Sequence, residues 1–480
     1  MKNVLYHYKN MSKSAKAAFY FLICNLLQKA ISFITIPIFT RIMSADEYGL
    51  YSIYTSWQSI ICIFATLNLS YQVFNNGMVK YDDNKDGYTS SMIGLTIISS
   101  FICFILFLIF NGMWSEYTQI NFVYTCIMLV DIFFSAVLSI LTVRERYEFN
   151  YKILVGLTLF TIIFNPLIGI MFVLNFKDKV LGRILSVLLV NVISGIISLA
   201  IILKRNKKTV CLNHWKYALK LDMPLIPHYL ALILLNSSDR IMIGQICGNS
   251  YSAYYSVAYN VAVIMNIVIN SLNSSFIPWI YQKLQSKSYG RIQKNTSYLV
   301  LLVGFLSILP MFFGPEIVRI LGGEDYYIAS YVIPIISASV FMTYMYSLFI
   351  NVELFYEKSK YVTIGSVLAT AVNIILNLIF IPKYGFLAAG YTTLISYIGL
   401  AIFHYIFTKK IMQQNQIKHI FNTRLFVVLG IVICIFAILI QTLYMHIFIR
   451  YIFLGIILMF GLINRKKIIN IYKKNSERSI

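Results

Sequence analysis

Apolar runs of about 18 to 25 residues recur from one end of this chain to the other, separated by short polar links. A run of that length crosses the roughly 30 Å hydrocarbon layer of a bilayer as an α-helix. Reading each run as one helix gives fourteen spans, at about 17–39, 49–76, 91–111, 119–142, 153–175, 183–203, 224–244, 252–279, 295–316, 328–352, 362–381, 387–408, 425–443 and 451–463. The expected fold class is therefore all-α, a polytopic membrane protein. Ala17–Phe39 exceeds the apolar region of a secretory leader, carries Lys29 near its middle and precedes no small-residue cleavage site, so it is expected to remain in the membrane.

Composition agrees with the pattern. Of 480 residues 59% are hydrophobic and only 12% are charged, against about 25% in a soluble domain. A formal charge of +22 would suggest nucleic acid in a soluble protein, but its distribution argues otherwise. With the N-terminus in the cytoplasm, the inside segments carry 31 of the 40 lysines and arginines and the outside links carry seven, Arg183 counted among these. That bias is a topology signal placing both termini inside, and no nucleic-acid partner is expected. Seven cysteines without a C-x-x-C spacing and six scattered histidines predict neither metal nor cofactor.

The outer links are too short for a catalytic domain. Asp46 and Glu47 lie in the first one, where an acidic transferase site would sit, but Ser44 with Glu47 three residues on has the spacing of a helix-capping box. The inner link "KRNKKTVCLNHWKYALK" holds no phosphate-binding glycine loop. The chain is thus not expected to be an enzyme.

"TRIMSADEYGLYSIYTSW" and "DRIMIGQICGNSYSAYYSVAYNVAV" share an Arg-Ile-Met and a following tyrosine-rich stretch, the second with about five extra link residues. Six spans separate them, which predicts two parallel repeats. Pro37, Pro224 and Pro227 are expected to bend the lead helices of the two halves. "PIFTRIMSADEYGLYS", "MPLIPHYL", "SSFIPWIY" and "AVNIILNLIFIPKYGFLAAGYTTLISY", in that order, resemble the polysaccharide-unit (O-antigen or repeat-unit) flippases of the multidrug/oligosaccharidyl-lipid/polysaccharide exporter superfamily. The resemblance implies two six-helix lobes in a V around a central cavity, plus two C-terminal helices. On that basis the expected domains are an N-terminal segment (1–16), an N-lobe (17–203), a linker (204–223), a C-lobe (224–408), two extra helices (409–463) and a tail (464–480). It also implies an oligosaccharide on a polyprenyl diphosphate as substrate, moved from the inner to the outer leaflet.

A charge at mid-membrane costs at least about 2.5–3.5 kcal/mol on insertion scales, so each needs a partner or a wet cavity. Lys29 and Asp131 lie at similar depth in one lobe: either Lys29 faces a cavity and attracts the diphosphate with Asp131 as counter-charge, or the two form a structural ion pair. Asn25, Lys29 and Ser32 share a helical face. Arg240, beside Asp239, and Arg41 are candidate phosphate ligands, since a guanidinium donates two parallel hydrogen bonds; as outer-end residues they could equally be interfacial anchors. His228 and Asp239 project on one face and are candidates for a coupling proton, with a packed histidine as the alternative. Asn266, Asn270 and Asn273 form a stripe that suits sugar hydroxyls or helix packing, as do Ser366, Thr370, Asn373 and Asn377.

The expected function is a flippase for lipid-linked oligosaccharide in a bacterial inner membrane, working by alternating access for O-antigen or capsule synthesis. Expected partners are the polyprenyl-diphosphate-linked glycan and membrane lipids, with a proton or sodium ion and a polysaccharide polymerase as further candidates. A cation-coupled drug exporter of the same fold, a polymerase or glycosyltransferase, and a scaffold without transport are the alternatives.

Overall fold

The structure, a computed structural model, describes residues 12–417 and 420–463; most of the expected N-terminal segment and the whole tail at 464–480 lie outside the described residues. The first half forms α1 (Lys13–Ile42), α2 (Ala45–Thr66), α3 (Gln72–Lys80), α4 (Lys85–Thr118), α5 (Phe122–Tyr147), α6 (Tyr151–Asn175), α7 (Lys179–Arg205), α8 (Leu212–Asp222) and α9 (Ile226–Cys247). The second forms α10 (Asn249–Gln285), α11 (Tyr289–Phe312), α12 (Gly314–Gly322), α13 (Ile333–Phe355), α14 (Ser359–Tyr384), α15 (Leu387–Gln414), α16 (Thr423–Thr442) and α17 (Ile447–Ile463). No strand occurs among the described residues.

Twelve helices are long and apolar enough to cross a membrane, among the described residues. The other two expected spans are α2, 22 residues and less apolar, and α17, 17 residues. The span expected at 49–76 stops at Thr66, where Leu67 and Asn68 both take left-handed backbone (φ 50°) and turn the chain into α3.

The opening hairpin follows from local chemistry. Ser44 accepts a hydrogen bond from the Glu47 backbone N–H at 3.2 Å while the Glu47 carboxylate accepts from the Ser44 N–H at 2.7 Å, closing the capping box that starts α2. The five residues expected to lengthen the second hairpin's link instead extend α9 from Met242 to Cys247, and Gly248 (φ +108°) makes the turn into α10. Pro224 lies in the 3₁₀ turn Met223–Leu225 and Pro227 in the first turn of α9, so both mark a helix start rather than a bend within a helix. Pro37 does lie inside α1.

The helices group into two compact units, Met1–Ala253 and Tyr254–Ile480. The expected linker 204–223 contains α8, and α9, expected to lead the C-lobe, packs on α2 within the first unit. There a Cβ on Gly49 would fall 1.8 Å from the Asn249 carbonyl oxygen, and one on Gly244 2.2 Å from Ile53 Cδ1. Glycine permits this close crossing, which suits helices whose association in lipid depends on contact rather than on water exclusion. In the second unit α13 is buried on nearly every side, packed by α11, α14, α15 and α16.

Candidate functional site

The first unit contains two adjoining polar cavities of about 250 and 310 Å³. They share Gln28, Leu138 and Thr161 and so follow one face of α1. Asn25, Gln28, Ser32 and Thr35 repeat at helical spacing, which is why one face of an otherwise apolar helix is polar. Asn165 of α6 and Arg183 and Asn191 of α7 line the cavity toward the C-terminal half of α1, and Arg146 of α5 lines the other.

Arg183 is the cation that geometry singles out. Its Nη1 donates to Asn165 Oδ1 at 2.9 Å and to Ser186 Oγ at 3.2 Å, and the guanidinium lies over the Phe39 and Tyr51 rings at 4.3 and 5.4 Å. These contacts aim the group without using it up. Among the described residues Nε and Nη2 take no hydrogen bond, leaving donors for an anion. Arg146 lies over the Phe21 ring at 5.8 Å.

Asp131 does not pair with Lys29. Gln58 Nε2 donates to one of its oxygens at 2.6 Å and Asn191 Nδ2 to the other at 2.7 Å, so two neutral amides satisfy this buried carboxylate. The pairing was not readable beforehand because Gln58 and Asn191 are 73 and 60 residues away. Lys29 is exposed, does not line the cavities, and has no ion pair or hydrogen bond among the described residues. Asn25 does line one of them.

Arg41 is exposed and donates through Nη1 to the Pro37 carbonyl at 2.7 Å, a carbonyl on its own helix. Arg240 is half-buried, with Ser252 Oγ donating to its carbonyl at 3.1 Å, and Asp239 is fully buried. His228 and Asp239 both lie on α9, but eleven residues of helix separate them by roughly 16 Å, so they form no direct pair. In the second unit Asn266 is half-buried, Asn270 exposed, and Asn273 donates to Ser347 Oγ at 3.4 Å. Asn373 and Asn377 are fully buried: Asn373 donates to Thr393 Oγ1 at 3.2 Å and Thr392 donates to Asn377 Oδ1, tying α14 to α15.

Sequence reasoning missed Arg183, which lies at the edge of an apolar run and so reads as part of a link. Structurally it is the fifth residue of α7, with Ser186 and Asn191 toward the same side; that spacing was the available signal.

A multi-pass helical membrane protein with a cation held in a polar cavity is the class these features define. The chain belongs to the family described as polysaccharide biosynthesis protein, whose model matches residues 14–283. It is 24% identical to the Lsg locus protein 1 of Haemophilus influenzae over 75% of this chain and 90% of that protein. It is also 24% identical to the capsular polysaccharide biosynthesis protein CapF of Staphylococcus aureus, over 82% and 98% of the two chains. Its fold is similar to that of the lipid II flippase MurJ in an inward closed conformation (TM-score 0.70, 14% identity, 93% and 99% of the chains covered). An inward-facing multidrug resistance MATE transporter of the MOP superfamily is also similar (TM-score 0.63, 11% identity, 80% and 95% covered). The fold is thus MATE-like.

Proposed function

We propose that this chain is a flippase that moves a polyprenyl-diphosphate-linked oligosaccharide from the inner to the outer leaflet of a bacterial cytoplasmic membrane, for capsule or O-antigen synthesis. One observation carries the reading: Arg183 is fixed in a polar cavity of an apolar helical unit with Nε and Nη2 unengaged. A diphosphate entering a low-dielectric layer loses its water, and a preoriented guanidinium replaces part of that hydration. Arg146 at the other end of the paired cavities gives the anion a second station. Family membership and the MurJ-like fold support the same class of substrate.

In this reading Arg183 grips the phosphates while Asn25, Gln28 and Asn191 meet them or the first sugar. Lys29 and Arg41, both exposed, attract the headgroup before and after passage; Arg240 is a further ligand for the phosphates, and the Asn266, Asn270 and Asn273 stripe of the second unit serves the glycan. Alternating access moves the substrate, both termini lie in the cytoplasm, and the chain carries two six-helix repeats. No covalent step is involved.

The test is the leaflet distribution of the lipid-linked glycan in a cell lacking the gene. Accumulation on the inner leaflet supports the reading. Unpolymerised units on the outer leaflet would replace it with a polymerase, and unchanged glycan export together with drug sensitivity would replace it with a drug exporter.

A further inference from the structure

The second unit buries an acid and a base that the anion cavity does not use. Glu353, in the last turn of α13, and His404 of α15 are 0% and 1% exposed. His404 Nδ1 lies 2.9 Å from Glu353 Oε2 and 3.1 Å from Oε1, and Thr408, one turn on from His404, donates to Oε1 at 3.3 Å. Tyr346, two α13 turns before Glu353, stacks on the imidazole with ring centres 5.9 Å apart. On the α14 side Gly365 faces the ring: a Cβ there would come 2.8 Å from His404 Nε2. No lysine, arginine, aspartate or other glutamate approaches either group within salt-bridge distance among the described residues, α11 and α16 included.

Such a pair is neutral when it holds one proton between carboxyl and imidazole. Losing that proton, or gaining a second, leaves a net charge among rings and aliphatic side chains with no other ion to balance it. The exchange becomes cheap only when water reaches the site. A buried ion pair can usually be replaced by apolar residues at little cost in stability, so packing alone gives no reason for one here.

We propose that Glu353 and His404, with Thr408 orienting the carboxylate, form a proton-binding site that exchanges its proton only when α13 and α15 admit water, and that this exchange drives the transport cycle. The ligand is a proton and the source of energy is its gradient. This rests on the flippase reading for what is driven, but not for the site itself.

Two measurements test it. In purified protein in phosphatidylcholine vesicles labelled with ¹⁵N-histidine, the His404 resonances, assigned by their absence in His404→Gln, should move as the pH is varied. Resonances that stay fixed would overturn the site. The doubly amide variant Glu353→Gln/His404→Gln keeps the shape and hydrogen bonding but holds no exchangeable proton. In cells it should fold and still bind, while export of lipid-linked glycan no longer responds to collapse of the proton gradient; in the wild type that collapse lowers export at least about tenfold, ~1.4 kcal/mol. A double variant as gradient-sensitive as the wild type would overturn the coupling. A wild type whose His404 titrates but which exports no lipid-linked glycan would overturn the flippase reading and leave the proton site standing.

Discussion

The two units use similar polar residues in opposite ways. In the first, Asn25, Gln28, Asn191 and Arg183 line open cavities with donors to spare. In the second, Glu353, His404, Asn373 and Asn377 are sealed and bonded to one another or to threonines. A polar group that must meet a passing anion has to stay unsatisfied and hydrated, whereas one that holds helices or stores a proton has to be closed off. Substitutions among these cavity residues of the first unit should therefore damage export without unfolding the protein, and removing one partner of a sealed pair in the second should damage folding first.

The largest effect is expected from Glu353→Ala, which leaves His404 without its carboxylate. It should lower stability by about 3–5 kcal/mol, seen as an early thermal transition, while the double amide variant stays close to the wild type. Equal loss in both variants would erase the contrast between the units. Next, Arg183→Ala should cut export at least about 100-fold, ~2.7 kcal/mol, with expression and thermal transition unchanged. Arg183→Lys should recover only part of the loss, because an ammonium lacks the planar fork. Lys29→Ala, at an exposed site off the cavity lining, should lower export less than Arg183→Ala does.

Gly49→Ala tests the crossing of α2 and α9. The added methyl meets the Asn249 carbonyl at 1.8 Å and should cost about 1–3 kcal/mol, measured by denaturation in detergent. The smallest change is Ser44→Ala, which removes one half of the capping box and should cost about 1 kcal/mol by the same assay.

The sequence made the helices legible because a bilayer imposes one length and one polarity on every span, and the α2 cap was readable because its partners lie three residues apart. The face of α1 was readable only in part: Asn25 and Ser32 line the cavities, whereas Lys29, expected on the same face, does not. Partnerships between helices were not. Asp131 was matched to Lys29 on depth alone, while its true partners are the amides Gln58 and Asn191. Glu353 and His404, 51 residues apart near the ends of two apolar runs, carried no local signal that they meet. Arg183 looked like a link residue because hydropathy cannot separate a cation at a helix mouth from one in a turn.

The most direct test of the central claim is the leaflet distribution of lipid-linked glycan in cells whose only copy carries Arg183→Gln, a change that keeps a hydrogen-bonding side chain and removes the charge. The expected result is stable protein in the membrane with glycan trapped on the inner leaflet. Wild-type export by that variant would contradict the claim that this guanidinium carries the anionic headgroup.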